Sequence, residues 1–353
     1  MPPVRRHSAP VPLALRDTGI VEFSSDDAVM YDRLRDAMKG MENGERQGSG
    51  RQPVAIHYDD GKRLLMLLYR LQTELSPEEA DRVRVALRYD QTNPLTVQLS
   101  NLFATVSGHA VAEYILHHYF TTYLQPIVQP GGKIIGYECL LRPLPEQPPF
   151  RPAELFAKAR SIGQHTFLDQ EARQDAIRIS AAHLAPGIKR FVNFLPSSLY
   201  CADTCLRGTF EAIKETRTNP ADVVFEVAES EPLNLPEMAD IFAYYRERGV
   251  HMAVDDVGSG HATIEVLKRL KPDYVKLDRK WVSYCDQDQN KQRHIADVLE
   301  QAAQFHGIVL AEGVEREEEW HYLRRAGVPL LQGYLFGKAM PVPGGKSVAA
   351  IQS

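Results

Sequence analysis

From Tyr123 onward hydrophobic and polar positions repeat one theme seven times: a short apolar, β-branched run, a polar residue at or just after its end, then a helix-length segment. Lys133-Ile134-Ile135-Gly136-Tyr137 ends at Glu138, Phe191-Val192 at Asn193, and Val223-Val224-Phe225 at Glu226, with Glu229 three residues on. Val250 to Val254 runs into Asp255-Asp256, Tyr274-Val275 into Lys276 and Asp278, Ile308-Val309-Leu310 into Glu312 and Glu315, and Pro329-Leu330-Leu331 into Gln332. Strands alternating with helices predict a (β/α) barrel, in which residues at the carboxyl ends of the strands converge on one rim. The first pair breaks the rule. Tyr123 to Val128 and Lys133 to Leu140 are joined only by Gln129-Pro130-Gly131-Gly132, a hairpin-length turn, so these strands are expected to be antiparallel.

The first part of the chain has a different pattern. Ile20-Val21-Glu22-Phe23 reads as a strand, Ala28 to Met41 as a helix, and the Gly- and Gln-rich stretch Asn43 to Gln52 as an exposed loop. Val54 to Tyr58 alternates like a strand, while Lys62 to Leu71 is apolar enough for a buried strand or a helix. Ser76-Pro77-Glu78-Glu79 supplies an N-cap, Pro at the first helical position and Glu at the third, and predicts a helix running to about Leu87. Val111 to Tyr123 is helical in pattern and connects the halves; its adjacent His117 and His118 point in different directions on a helix and do not make a metal pair. The expected fold is α/β, a modified TIM (β/α)8 barrel with an antiparallel first strand, preceded by a small α+β module. The expected divisions are a tail over 1–17, the module over 18–110, a connecting helix over 111–122 and the barrel over 123–345.

Composition narrows the class. Of 353 residues 44% are hydrophobic and 25% charged, which is ordinary for a globular chain. A formal net charge of −5 gives no overall attraction to DNA, RNA or an anionic membrane, so an anionic ligand is held locally. The longest apolar run, Leu64 to Tyr69, is far short of the roughly 20 residues that span a bilayer. The Pro-rich start has no apolar core of a signal peptide, and four cysteines (Cys139, Cys201, Cys205, Cys285) show no C-x-x-C spacing; both point to a reduced, cytoplasmic setting.

Carboxylates gathered on one rim with an amide cannot all be desolvated as anions without compensating charge. A divalent cation supplies it, and hard oxygen donors without His or Cys favour Mg²⁺ or Mn²⁺ over zinc. Tandem Asp255-Asp256 can serve one ion and reach a second, as in sites that activate water for attack on phosphorus.

These residues, from about Tyr123 to Pro341, resemble the EAL-domain cyclic dimeric GMP phosphodiesterases. The motifs that carry the resemblance are Glu138-Cys139-Leu140-Leu141-Arg142, the Asn193 strand, Phe225 to Glu229, Asp255 to Gly260, Val275 to Asp278, Ala311 to Glu315 and Gln332 to Gly337. The resemblance implies hydrolysis of one phosphodiester of cyclic di-GMP to linear pGpG with two divalent cations. It implies that Glu138, Asn193, Glu226 and Asp255 hold one cation, that Asp255 is shared, and that Asp256 and Glu312 serve the second. Lys276 would orient or deprotonate the attacking water, Gln332 would support the site, Arg142 would grip a phosphate, and Leu140, Asp278 and Gln125 would contact substrate. Glu229 would secure the loop Ser259 to Thr263. A homodimer through Thr263 to Leu270 and the segment near Trp281 is implied too. Cys139, Val257, His261 and Ala339 depart from the usual residues; Cys139 alternates away from Glu138 and is expected outside the barrel. Two other readings remain: a receptor that binds the nucleotide without cleaving it, and an enzyme silent until its N-terminal module is engaged.

Overall fold

The computed structural model describes residues 15–16, 18–38, 53–59, 61–89, 94–106, 110–147, 149–196, 207–227, 234–258 and 264–343. The expected tail apart from residues 15 and 16, the loop 43–52, Cys201, Cys205, Glu229 and residues 259–263 lie outside them. The chain divides into two compact units, Met1–Tyr119 with Phe150–Leu168, and Phe120–Pro149 with Asp169–Ser353. The first is therefore discontinuous in sequence. Phe150 meets the Tyr114 ring edge-on at 5.2 Å, and a Cβ on Gly61 would lie 2.2 Å from the Phe167 ring, so Phe167 packs directly on backbone.

In the first unit β1 (Gly19–Ser24), β2 (Val54–Tyr58), β3 (Arg84–Arg88) and β4 (Leu95–Gln98) form an antiparallel sheet in the order β2-β1-β3-β4. The ambiguous run after Tyr58 is a helix, Gly61–Glu74, because Leu64, Leu67, Leu68 and Leu71 recur at helical spacing and are all buried. Asp27 caps the helix Ala28–Ala37 through Val29 and Met30 N–H. Two readings need correction. Ser76 and Glu79 do form the reciprocal capping box, yet the helix spans only Pro77–Ala80 instead of reaching Leu87. Arg84 to Arg88 buries Val85 and Leu87 at period two and pairs with β1 and β4, so sheet pairing overrides the helical pattern. Likewise the helix read over Val111 to Tyr123 spans Ala110–Leu116. His118 then turns left-handed (φ 54°) and Phe120 begins a strand whose Phe120, Thr122 and Leu124 are buried in alternation.

The second unit is a closed barrel of eight strands in the order β10-β11-β12-β5-β6-β7-β8-β9. They are β5 (Phe120–Val128), β6 (Ile134–Pro143), β7 (Lys189–Phe194), β8 (Val223–Val227), β9 (His251–Val257), β10 (Tyr274–Leu277), β11 (Ile308–Ala311) and β12 (Leu330–Gln332). β5 runs antiparallel to both neighbours, β6 and β12, and the other pairs are parallel. The predicted hairpin is closed by Gln129 N–H to Lys133 O at 2.9 Å, with Gly132 in the left-handed region its turn requires.

Strand alternation sorts the core into two. One apolar cluster, including Val192, Phe225, Val254, Val275 and Val309, packs the outward faces of the strands beneath the helices. Cys139 belongs to it, with its Sγ 4.0 Å from Ala176 O, so it faces away from Glu138 as expected. A second cluster, Ile127, Phe191, Val224, Ala253, Tyr274, Leu310 and Leu330, fills the inside. Among the described residues no helix is long and apolar enough to cross a membrane.

Candidate active site

The inner apolar layer fixes where the polar residues go. Residues two apart on a strand share a face. Two residues beyond Phe191, Val224, Ala253, Tyr274, Leu310 and Leu330 stand Asn193, Glu226, Asp255, Lys276, Glu312 and Gln332. On β6 the same step from Gly136 reaches Glu138, and on the reversed β5 it runs backward from Ile127 to Gln125, which lies opposite Glu138 in register. One polar layer therefore sits on top of one apolar layer at the carboxyl ends of the parallel strands.

Lys276 is its hub. The Nζ atom lies 2.7 Å from Glu312 Oε1, 2.9 Å from Glu226 Oε1, 3.1 Å from Asp255 Oδ2 and 3.3 Å from Glu138 Oε1. Glu138 also accepts hydrogen bonds from Gln332 Nε2 at 2.7 Å and Asn193 Nδ2 at 3.4 Å. Burial pushes the Glu138 carboxyl up, but Lys276, Gln332 and Asn193 together outweigh it and hold the group below its ordinary value. Burial also disfavours charge on Lys276, yet the carboxylates facing it keep the ammonium protonated well above its usual range. Glu226 is raised well above the carboxylate range by burial, which Lys276 only partly offsets against Glu138, Asp255 and Glu312.

Asp255 and Asp256 would point to opposite faces of a regular strand. A bulge prevents this: β10 residues Val275 and Leu277 pair with Val254 and Val257, so two β9 residues face the single Lys276. Asp256 takes a left-handed conformation (φ 52°), and its N–H donates to Asp255 Oδ1 at 2.8 Å. Burial first, and then the neighbouring Asp255, push the Asp256 carboxyl up to about 7.

The oxygens form two trios, each within 4.8 Å: Glu138 with Glu226 and Asp255, and Asp255 with Asp256 and Glu312. They share Asp255. Glu226 is wholly buried and its Oε2 has no hydrogen-bond partner, an orphaned acceptor that a divalent cation would satisfy. With Asn193 beside Glu138, the donor set is all oxygen and suits Mg²⁺ or Mn²⁺.

The remaining predicted residues surround this layer. Leu140 and Arg142 follow Glu138 on β6 at two-residue steps and share its face, and Arg142 Nη1 donates to Leu141 O at 2.8 Å. Gln125 Nε2 donates to Gly337 O at 3.4 Å. Asp278 caps the helix Arg279–Val282 and hydrogen-bonds Asp256. Sequence reading missed one buried support. Asp169 Oδ1 accepts Leu195 N–H at 3.0 Å, fixing the end of the strand that carries Asn193, while its other oxygen binds Arg173, which also bonds Thr209. Its only trace in the sequence is an Asp and an Arg four apart on one helix.

Residues 110–339 match the EAL domain family. The chain is 26% identical over 243 residues to "Probable cyclic di-GMP phosphodiesterase PdeN" of Escherichia coli (strain K12), covering 67% of this chain and 46% of that protein. It is 26% identical over 250 residues to "Cyclic di-GMP phosphodiesterase PdeL" of the same organism, covering 69% and 68%. The chain thus spans about half the length of the first relative and two thirds of the second. Among solved structures it is similar to a standalone EAL protein from Vibrio cholerae O395 in its c-di-GMP bound form, with 30% identity, a TM-score of 0.58, and coverage of 64% of this chain and 95% of that one. It is also similar to a manganese/cy-diGMP complex of Klebsiella pneumoniae BlrP1, at 28% identity and a TM-score of 0.59, covering 64% and 57%.

Proposed function

The chain belongs to the EAL-domain family, and from that premise we propose that it hydrolyses one phosphodiester bond of cyclic di-GMP to linear pGpG, using two divalent cations, Mg²⁺ or Mn²⁺. The observation that carries the reading is the pair of carboxylate trios sharing Asp255. A receptor that only captured the nucleotide would not require buried Glu226 to keep an unpartnered oxygen.

Glu138, Asn193, Glu226 and Asp255 would hold one cation, and Asp255, Asp256 and Glu312 the other. Bound there, the cations would supply Lewis acidity, bringing the pKa of water from 15.7 to about 7 and neutralising charge that develops at phosphorus. The residues of the chain do the positioning. Lys276 links four carboxylates and keeps its charge, so it neutralises the acidic layer, and with those carboxylates on cations it would turn an N–H toward an attacking water. Gln332 and Asn193 hold the Glu138 carboxylate in place. Arg142, on the same face as Glu138, would grip a substrate phosphate in a bidentate manner, with Leu140, Gln125 and Asp278 lining the nucleotide. Glu229, outside the described residues, would secure the loop after Asp256. Residues 18–110 would regulate the barrel, and two chains would pair through the barrel domain.

Purified full-length chain incubated with cyclic di-GMP and Mg²⁺, Mn²⁺ or EDTA, with products separated by chromatography, tests the reading. Cation-dependent pGpG that disappears in Glu138→Ala is the expected result. Retained nucleotide binding without any product would replace the enzyme by a receptor.

A further inference from the structure

The bulge that turns both aspartates inward ends in a second left-handed residue, Gly258 (φ 91°), and the structure closes on it from one side. Trp281 Nε1–H donates to Gly258 O at 3.1 Å. The Trp281 ring stacks on His294 with centroids 3.8 Å apart and planes 23° from parallel. A Cβ on Gly258 would lie 2.5 Å from both Trp281 Nε1 and His294 Nε2, so the two rings leave room for glycine alone. His294 Nε2 is buried without a hydrogen-bond partner, so this ring contributes packing and not a tether.

The helix that carries Trp281, Arg279–Val282, follows directly on the strand of Lys276 and touches the bulge twice. Asp278, its cap, bonds Asp256, and Trp281 bonds Gly258 O; Val257, between them, is buried in the core. A non-glycine residue in the left-handed region persists where its surroundings over-determine it. Here three consecutive residues, Asp256, Val257 and Gly258, are each held, and the first of them carries the carboxylate that faces Asp255 and Glu312.

Resting on the reading of the two trios as cation sites, we propose that Trp281 is a positioning residue: its indole N–H, backed by His294, fixes the Gly258 carbonyl and thereby sets Asp256 for the second cation. Trp281→Phe keeps an aromatic ring on His294 and removes only the donor. Substitutions one step behind metal ligands typically weaken metal affinity about tenfold or more. Mn²⁺ alone, titrated calorimetrically into the EDTA-stripped full-length chain, should bind about tenfold more weakly in Trp281→Phe at an unchanged Tm. With cyclic di-GMP the variant should lose kcat at limiting Mn²⁺, keep its KM, and recover at excess Mn²⁺. Unaltered Mn²⁺ binding, or a loss that follows a fall in Tm, overturns the proposal. The chain has two tryptophans, so Trp320→Phe leaves Trp281 as the sole reporter. Its emission should follow Mg²⁺ addition with the midpoint of binding, and a flat response overturns the proposal independently of the first variant. If the wild-type chain gives no pGpG while Trp281→Phe still weakens Mn²⁺ binding, hydrolysis fails and the positioning role stands.

Discussion

Two layers inside the barrel lie one strand-step apart and behave as opposites. In the lower, Phe191, Val224, Ala253, Tyr274, Leu310 and Leu330 exclude water and hold the strands together. In the upper, Glu226, Asp255, Lys276 and Glu312, with the neutral amides Asn193 and Gln332, bring ionisable groups into the same low-dielectric interior, with one lysine set against Glu138, Glu226, Asp255 and Glu312. The lower layer gains stability from burial. The upper layer pays desolvation that a cation, not the fold, is arranged to relieve. Moving two residues along one strand should therefore change what a substitution damages.

The largest expected effect falls on the upper layer. Glu226→Gln preserves shape and removes a carboxylate that would hold a cation, so turnover of cyclic di-GMP should fall by about 10³-fold or more. Lys276 keeps its contacts to Glu138, Asp255 and Glu312, so the Tm in EDTA should not drop. A variant that lost both rate and Tm in proportion would break the comparison. Next in size is the lower layer: Phe191→Ala should cost about 3–5 kcal/mol of stability by denaturant titration, with specific activity retained in the fraction that remains folded.

The two layers were not equally legible in the sequence. Strand-end residues were, because each β-branched run buries both faces and the first polar residue after it marks the rim, as at Val223-Val224-Phe225-Glu226. The hairpin was legible from Gln129-Pro130-Gly131-Gly132 for the same reason of length. The convergence of Asp255 with Asp256 was expected from the tandem, but its means was not, since alternation alone separates them and only the bulge, a property of pairing with β10, reunites them. Arg84-Val85-Ala86-Leu87-Arg88 failed differently: its apolar spacing suits both periods, and pairing with β1 decides. Trp281 entered the sequence reading only through the implied dimer surface, because nothing in sequence tells that its indole N–H would meet Gly258 O.

Acidity offers a finer probe of the contrast. In the stripped protein Asp256 keeps its proton to about pH 7, above the roughly 3.9 of an unfolded Asp, because burial and Asp255 disfavour its charge. Between those values the folded state binds more protons, so this group makes stability fall as pH rises. Thermal melts in EDTA should decline from pH 5 to pH 8, and Mg²⁺ should flatten the decline by replacing the proton as compensating charge. Asp256→Asn in EDTA should lack this component of the slope; an undiminished slope would place the titration elsewhere.

The foot of the barrel has the opposite sign. Asp273, just before Tyr274, is pushed up by burial, but the His251 hydrogen bond, the Met252 N–H at 2.9 Å and Arg246 at 3.4 Å outweigh this and lower its pKa. Below the unfolded value the unfolded chain takes up the proton more readily, so stability from Asp273 is present above about pH 3.9 and is lost as pH falls through the folded value. Asp273→Asn should therefore flatten the acid limb of the melt profile and leave the limb above pH 5 to the raised carboxyls of the upper layer, Asp256 and Glu226 among them. Its cost at neutral pH should be small, roughly 0.2–1 kcal/mol, as for other partly exposed ion pairs, since the amide oxygen can still accept from Met252. The two asparagine variants, combined, should flatten both limbs where each alone flattens one, because each removes a titration of opposite sign at an opposite end of neighbouring strands.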